Sequence, residues 1–413
     1  MTSKMKAMDI QYDKEMKRKK MKKMNRFIIY LLALGAFVTG TAEFVVSGIL
    51  EIISDDLHVS IALAGQLITV YSLSYALGAL VLVMLTAKFE RKKVLLYSIV
   101  VFILGNLIAF FSYSYVLLMI SRVIMAASGG LYIVLATNYA AELSQPEKKG
   151  SAMATVITGF TVSLVLGVPI GTLIAAYMDW RYVYLLIAIV TFFNLFFLNK
   201  ALPQIKGNPP LPLKQQWLVL RDKRLFSGLV TTLFWILGYT MVFAYIAPLL
   251  STSAGFSIEM ISTALFTLGV FAFIGSRFGG FAVDKWGAKW TISFSLLIHA
   301  GALFALTFTS GSTIGVFLTL MIWGVAAWTT TPAKQFYLIS LNPSSSEIIL
   351  SYNTALMNIG MTLGAALGGG VIGYTSIAHI SWISGVMVLV AFLSILYSFN
   401  FINAETIDHT IEC

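Results

Sequence analysis

Apolar stretches of roughly twenty residues recur along this whole chain, and nothing else in the sequence restricts the fold so tightly. About 20 residues of helix cross the hydrocarbon core of a bilayer, where the backbone must satisfy its own hydrogen bonds. The stretches fall at 27–50, 61–85, 94–112, 115–141, 151–178, 180–201, 225–252, 257–282, 291–309, 312–338, 348–373 and 377–402. They predict an all-α membrane protein with twelve transmembrane helices. Only 11% of residues are charged and 58% are hydrophobic. Soluble domains carry about 25% charged residues, so a large soluble enzyme is excluded.

The net charge of +10 is distributed with a purpose. Most Lys and Arg residues lie in the first 26 residues or in the segments 86–93, 142–150, 202–224 and 283–290. Glu51, Asp55, Asp56, Asp179 and Glu259 occupy the opposite side, with Arg181 among them. This is the positive-inside bias of membrane proteins rather than a nucleic-acid surface. It predicts a multi-pass protein of a bacterial inner membrane with both termini in the cytoplasm. The first 26 residues are basic and Met-rich without a small-residue cleavage site, so no signal peptide is expected. Met24 offers an alternative start.

The chain also repeats itself. An offset of 197 positions, the distance from Ser163 to Gly360, carries Gly167 to Gly364, Gly171 to Gly368, Lys88 to Lys285, Lys92 to Lys289 and Pro146 to Pro343. Six helices per unit is an even number, so both units enter the membrane in the same sense. That is a parallel repeat about an axis along the membrane normal. The expected organisation is a basic tail (1–26), a six-helix bundle (27–201), a polar, Pro-rich linker (202–224), a second bundle (225–402) and a C-terminal tail (403–413). Small residues at four-residue spacing in the fifth and eleventh helices let backbones approach closely. They suit either ordinary packing or a bundle-to-bundle contact that slides.

Chemistry-bearing clusters are scarce. Cys413 is the only cysteine, and His58, His299, His379 and His409 are scattered. No metal site, no cofactor and no nucleophile–base set is expected. His299 reads as a satisfied histidine within a helix.

One residue does not fit an inert span. Glu43 sits in TGTAEFVVSGIL, deep in the first apolar stretch. A carboxylate there costs about 2.5–3.5 kcal/mol on insertion scales, so it faces a partner or a wet cavity, or carries a proton. Thr39, Glu43 and Ser47 share one helical face, expected to look into a central cavity. Arg122 in the fourth helix reaches similar depth, which makes a Glu43–Arg122 pair the expectation. Arg277 and Lys334 lie near basic helix ends, where long side chains snorkel. Pro332 breaks hydrogen bonding beside Lys334, and Gln335 adds an amide. Both cations are assigned to structure or gating.

Aromatic residues with amides suit a flat heterocycle through stacking and edge hydrogen bonds. Trp235, Tyr239, Phe243 and Trp328 supply the rings. Gln66, Tyr71, Asn138, Gln335 and Asn358 supply the polar groups of a small-molecule site. The same set suits a lipophilic drug.

GGFAVDKWGAK, from Gly279 to Lys289, resembles the loop signature of the major facilitator superfamily. Gly280, Asp284, Lys285, Gly287 and Lys289 match it. The first-half copy is degenerate, with Ala87 in place of the acid, but Lys88, Arg91 and Lys92 keep its basic part. Arg122, Ala126 and Gly130 resemble the fourth-helix pattern of proton-coupled antiporters. SLVLGVPIG, with Gly167, Pro169 and Gly171, is similar to their fifth-helix motif, although Val168 replaces a glycine. AGQLITVYSLSYALG, LTAKFERKK, TPAKQFYLI and SYNTALMNIGMTLGAALGG resemble bacterial purine base and nucleoside efflux pumps of the drug:proton antiporter branch. The resemblance implies two pseudo-symmetric bundles and proton-coupled export by alternating access, with those motif residues at the gates. It implies protons, a small solute and the bilayer as partners, and a monomer. Multidrug or sugar export is the nearest alternative, and a passive facilitator the alternative of another class.

Overall fold

The computed structural model describes the backbone of residues 2–145, 149–205, 221–342 and 345–411. Side chains are described over 25–79, 81–145, 152–205, 221–342, 345 and 349–399. The linker falls mostly on 206–220, outside the described residues, as do Pro146 and Pro343.

We number the helices by membrane crossing. Helix α1 is Thr2–Asp56, with its apolar part from Asn25. Helix α2 starts as Ile61–Leu77 and continues through a π-helical turn, Gly78–Leu82, into Val83–Thr86. Helices α3 (Arg91–Phe110) and α4 (Tyr115–Glu142) follow. Helix α5 runs Lys149–Val162, through a π turn at Ser163–Gly167, into Val168–Tyr177. Helix α6 is Arg181–Ala201. Helix α7 is Lys223–Phe243 followed by Ile246–Ala254. A continuous helical run, Ile258–Thr309, is broken at Gly287 into α8 and α9. Helices α10 (Thr313–Leu341), α11 (Ser346–Tyr374) and α12 (Ile380–Ile411) complete the chain. Twelve crossings result, as the apolar pattern predicts.

Local chemistry sets the boundaries. Ser60 caps α2 and Ser257 caps α8, each hydroxyl accepting from the amide three residues on. These two serines are related by the same 197-residue offset as the glycines. Gly287 separates α8 from α9 at φ 80°, ψ 160°, a region a side chain rarely adopts. The π turn in α5 precedes Pro169, whose missing N–H leaves a carbonyl of the preceding turn without its helical partner. The repeat extends to irregularities that the sequence does not announce. Helix α1 breaks at Ile49 (φ −119°, ψ 15°) and α7 breaks at Tyr245 (φ −117°, ψ 22°).

The glycine stripes resolve within the bundles. A Cβ on Gly167 would lie 2.1 Å from Thr41 Oγ1, and one on Gly171 would lie 2.3 Å from Val45, so α5 packs on α1. Gly360, Gly364 and Gly368 do the same for α11 against α7, where Cβ atoms would meet Leu233, Leu237 and Tyr245. Of the two readings of these stripes, ordinary packing within each bundle is the one their contacts fit. They hold α5 to α1 and its symmetry mate α11 to α7.

The seam between bundles is built from other residues. Helix α2 packs on α11, and α5 packs on α8. Ser262 Oγ donates to the Pro169 carbonyl (3.0 Å), and Ser251 Oγ donates to Glu51 Oε1 (3.2 Å). Gly269 admits the Leu164–Val165 backbone, where a Cβ would lie 2.6 Å from the Leu164 carbonyl oxygen. Gly65 and Gly369 receive the Tyr245 ring. These contacts run from the end carrying the acidic loops to mid-span.

Candidate functional site

Two side-chain groups occupy the mid-span, one in each bundle. The first surrounds Glu43. Its side chain is buried, and Oε2 has no hydrogen-bond partner. Arg122 lies beside it, fully buried, but no ion pair joins them. Arg122 donates to the backbone carbonyls of Ala42, Glu43 (3.3 Å) and Leu67 (3.3 Å) instead. The guanidinium carbon rests 3.9 Å from the centre of the Tyr71 ring. A planar guanidinium suits this task, with a fork of donors and a face for stacking.

The surroundings correct two expectations. Thr39, Glu43 and Ser47 are all at most 4% exposed, and Tyr71 Oη donates to the Thr39 carbonyl. That face of α1 looks into the N-terminal bundle, against α2 and α4, not onto an open cavity. Small Gly129 on α4 leaves room for the Thr39 methyl group and lets the helices close. Tyr71 is 0% exposed and lies under Arg122, so it belongs to the charge pocket rather than a cavity wall.

The neighbouring face of α1, a quarter-turn round, meets the second group. Phe44, next to Glu43, sits edge-on to Phe160 of α5 (5.3 Å) and to Phe243 of α7 (5.8 Å). Phe243 stacks on Tyr239 (5.4 Å, 16°). Trp328 Nε1 donates to Tyr239 Oη (3.4 Å), and Trp323 tilts against the same ring (5.2 Å). Trp323 Nε1 in turn donates to His299 Nε2 (2.9 Å). Trp235 is buried one turn before Tyr239, and its Nε1 has no partner. An aromatic wall thus runs from α9 through α10 and α7 to α1, and its last ring adjoins the acid.

Tyr239, Phe243 and Trp328 come into contact, and Trp235 lies one turn away on the same helix. The amides stand apart. Gln66 donates to Ala62 (3.4 Å) and borders Gly369 on the seam toward the acidic end. Asn138 is exposed on the basic half of α4. Asn358 is buried and donates to Thr354 (2.9 Å). Gln335 is half-buried.

Lys334 does not snorkel. It is 1% exposed, and its ammonium donates to the Gly228 carbonyl and the Thr232 hydroxyl on α7. Thr232 donates onward to Asn353 Oδ1 (2.7 Å) on α11. Its helical position points it at α7, and the glycine at 228 leaves a carbonyl within reach. Arg277 is exposed, with its guanidinium 5.5 Å from the Phe273 ring, as a snorkelling side chain would be.

The gate signature residues cluster at the basic end. Lys88 lies over Phe89 (5.4 Å), and the Arg91 amide donates to the Ile205 carbonyl (2.9 Å). Lys92 is half-buried. Asp284, Lys285, Gly287 and Lys289 are exposed around the α8–α9 break, and Gly280 faces open space. Of the motif, Pro169 touches the other bundle through its carbonyl, and Leu164 and Val165 through their backbone against Gly269. The sequence reading missed Phe44, Phe160 and Gly269. Only the adjacency of Phe44 to Glu43 could have flagged one of them.

The sequence matches the Major Facilitator Superfamily profile over residues 32–346. The chain belongs to the major facilitator superfamily. It is therefore a membrane transporter of that superfamily and not an enzyme. It is 38% identical over 376 residues to YbcL, an uncharacterized MFS-type transporter of Bacillus subtilis (strain 168), covering 91% of this chain and 96% of that protein. It is 29% identical over 371 residues to the inner membrane transport protein YdhP of Escherichia coli (strain K12), covering 88% and 94%. The fold matches a crystal structure of a D-xylose–proton symporter at a TM-score of 0.75 and 18% identity, covering 89% and 96%. A bacterial homologue of the human lysosomal transporter Spinster, in an inward-facing, unoccupied conformation, matches at 0.75 and 16%, covering 92% and 98%. In this facilitator-superfamily chain the acid and the aromatic wall are carried by helices of different bundles, which rock against each other in alternating access.

Proposed function

We propose that this transporter exports a small planar organic solute in exchange for protons, with purine bases or nucleosides as the favoured cargo. The observation that carries the reading is the setting of Glu43. A buried carboxylate has an unpartnered oxygen, a neighbouring arginine committed to the backbone, and a ring at the next residue that touches the aromatic wall of the other bundle. Burial favours a protonated carboxyl and a nearby cation favours an ionised one, so small movements of the bundle exchange its proton. Aromatic rings with an unpartnered Trp235 N–H suit a flat heterocycle that carries acceptors.

The same charge distribution supports placing the basic loops in the cytoplasm of a bacterial inner membrane and the acidic, closed end outside. One charge moved across 100 mV is worth about 2.3 kcal/mol, enough for roughly a fifty-fold solute gradient. The rings also support a second reading, a lipophilic drug as cargo. The acting unit is a single chain, since both halves of the site come from one polypeptide.

Counterflow in proteoliposomes with labelled purines, sugars and cationic dyes, with and without a pH gradient, tests this reading. Purine counterflow that a gradient drives uphill is expected. Dye or sugar transport alone transfers the reading to the alternatives, and a rate indifferent to the gradient removes proton coupling.

A further inference from the structure

A groove of about 760 Å³ opens away from the seam, on the flank of the C-terminal bundle between α8, α9 and α10. Its walls include Phe278, Trp286, Trp290, Phe294, Ile322 and Val325. Glycines create it. A Cβ on Gly275 would lie 2.3 Å from the Val325 carbonyl oxygen, and one on Gly279 would lie 2.5 Å from that of Thr329. Backbone contact between α8 and α10 leaves no side chains to fill the angle beneath α9. Phe278, Trp286, Trp290, Phe294 and Ile322 are all exposed along its edges.

A cation stands at one end. The Lys285 ammonium lies 5.5 Å from the Trp286 ring and 5.6 Å from the Phe281 ring. Lys289, on the far face of α9, turns its ammonium to the Phe399 ring of α12 (5.7 Å), away from the groove. The break at Gly287 starts α9 at the same mouth, so the positive end of its dipole adds to Lys285. Asp284 is exposed there too, and among the described residues neither lysine pairs with it.

The length of the groove selects its occupant. From Trp286 to Phe271 along α8 it runs about 22 Å, and from Trp290 to Ile298 along α9 about 12 Å. One leaflet with its headgroup layer is about 20–22 Å deep, so the groove serves one leaflet. A partner transmembrane helix would pack across both.

We propose that the groove binds an anionic phospholipid of the basic-side leaflet, with one acyl chain between α8, α9 and α10 and its phosphate on Lys285 beside the first turn of α9. Trp286 and Trp290 hold the glycerol level, as tryptophans do at membrane interfaces. The lipid tethers the α8–α9 turn, whether or not the cargo assignment holds.

Photo-crosslinking tests it. Phosphatidylglycerol with a diazirine in one acyl chain is compared with the matching phosphatidylcholine, both in nanodiscs holding the full chain. Phosphatidylglycerol is expected to label peptides within 271–298 and 321–329, and phosphatidylcholine far less. Lys285→Gln should lower that labelling about fivefold, the loss expected of one surface lysine facing anionic lipid. Val325→Trp should block it by filling the groove, with both variants matching wild type in thermal melting in detergent. Equal labelling by the two lipids, labelling elsewhere, or a charge-neutral variant that labels like wild type overturns the proposal. If Val325→Trp misfolds, the Lys285→Gln variant decides alone.

Discussion

Arg122 reaches Glu43 through the main chain and not through the carboxylate. Its Nη2 donates to the Glu43 carbonyl oxygen at 3.3 Å, while Glu43 Oε2 has no hydrogen-bond partner. The arginine therefore fixes the path of α1 beside the acid and leaves the acid's proton site unoccupied by a permanent ion pair. Arg122 binds Leu67 of α2 as well, so three helices meet at one guanidinium.

That geometry predicts a specific cost for Arg122→Lys. An ammonium cannot serve three carbonyls from two helices while stacking on Tyr71. Losing charged hydrogen bonds at a buried site costs about 2–4 kcal/mol. Thermal unfolding in detergent should shift down accordingly, and transport should fall with it. A variant that melts like wild type contradicts the structural role.

Gly269→Val tests the seam. The added side chain would strike the Leu164–Val165 backbone of α5, so the acidic end should fail to close. Leu265, buried at this seam, is replaced by Cys in a Cys413→Ser background as the reporter. An impermeant maleimide added from the acidic side should label it faster in Gly269→Val than in the parent. Gly301→Val, where a side chain would meet open space, should label like the parent.

His299 is an acceptor for Trp323 at 2.9 Å. His299→Leu leaves a buried indole N–H unpaired and should cost about 1–3 kcal/mol. His299→Gln keeps an acceptor and should recover most of it. Melting temperatures and tryptophan emission read both effects. Equal losses in the two variants would remove the hydrogen bond as the cause.

Lys334 bonds only to a carbonyl and a hydroxyl, with no carboxylate within ion-pair distance among the described residues. Burying such a group is unfavourable. Lys334→Met should therefore melt no lower than wild type, and up to about 1–3 kcal/mol higher. Reduced transport in this stable variant would mark the lysine as functional. A strongly destabilised variant contradicts the burial argument.

Much of the architecture was legible in the sequence because bilayer thickness and loop charge act locally. Apolar runs give the crossings, and the offset that joins Lys88 to Lys285 gives the two halves. Gly287 was legible as well, since a glycine inside the basic signature marks the α8–α9 break. The partners of each face were not. The stripe at Ser163, Gly167 and Gly171 allows close approach to any neighbour, and tertiary packing chose α1. Gly269, which does touch the other bundle, stands in no stripe. Tyr71 read as a cavity ring because its type and helix fit one, yet Arg122 covers it. Lys334 read as a snorkelling cation because position along a helix is visible in sequence and rotation about its axis is not. Trp235, Tyr239 and Phe243 were legible as one face because they lie on one helix at helical spacing, and Trp328 meets that face at Tyr239.

The most direct test of the central claim is gradient-driven uptake into inside-out proteoliposomes by Glu43→Gln, measured beside counterflow in the same preparation. The amide keeps the shape of the side chain and cannot exchange a proton. Uphill transport driven by the pH gradient should disappear while counterflow persists. Wild-type uphill transport by Glu43→Gln at equal reconstitution would contradict the account.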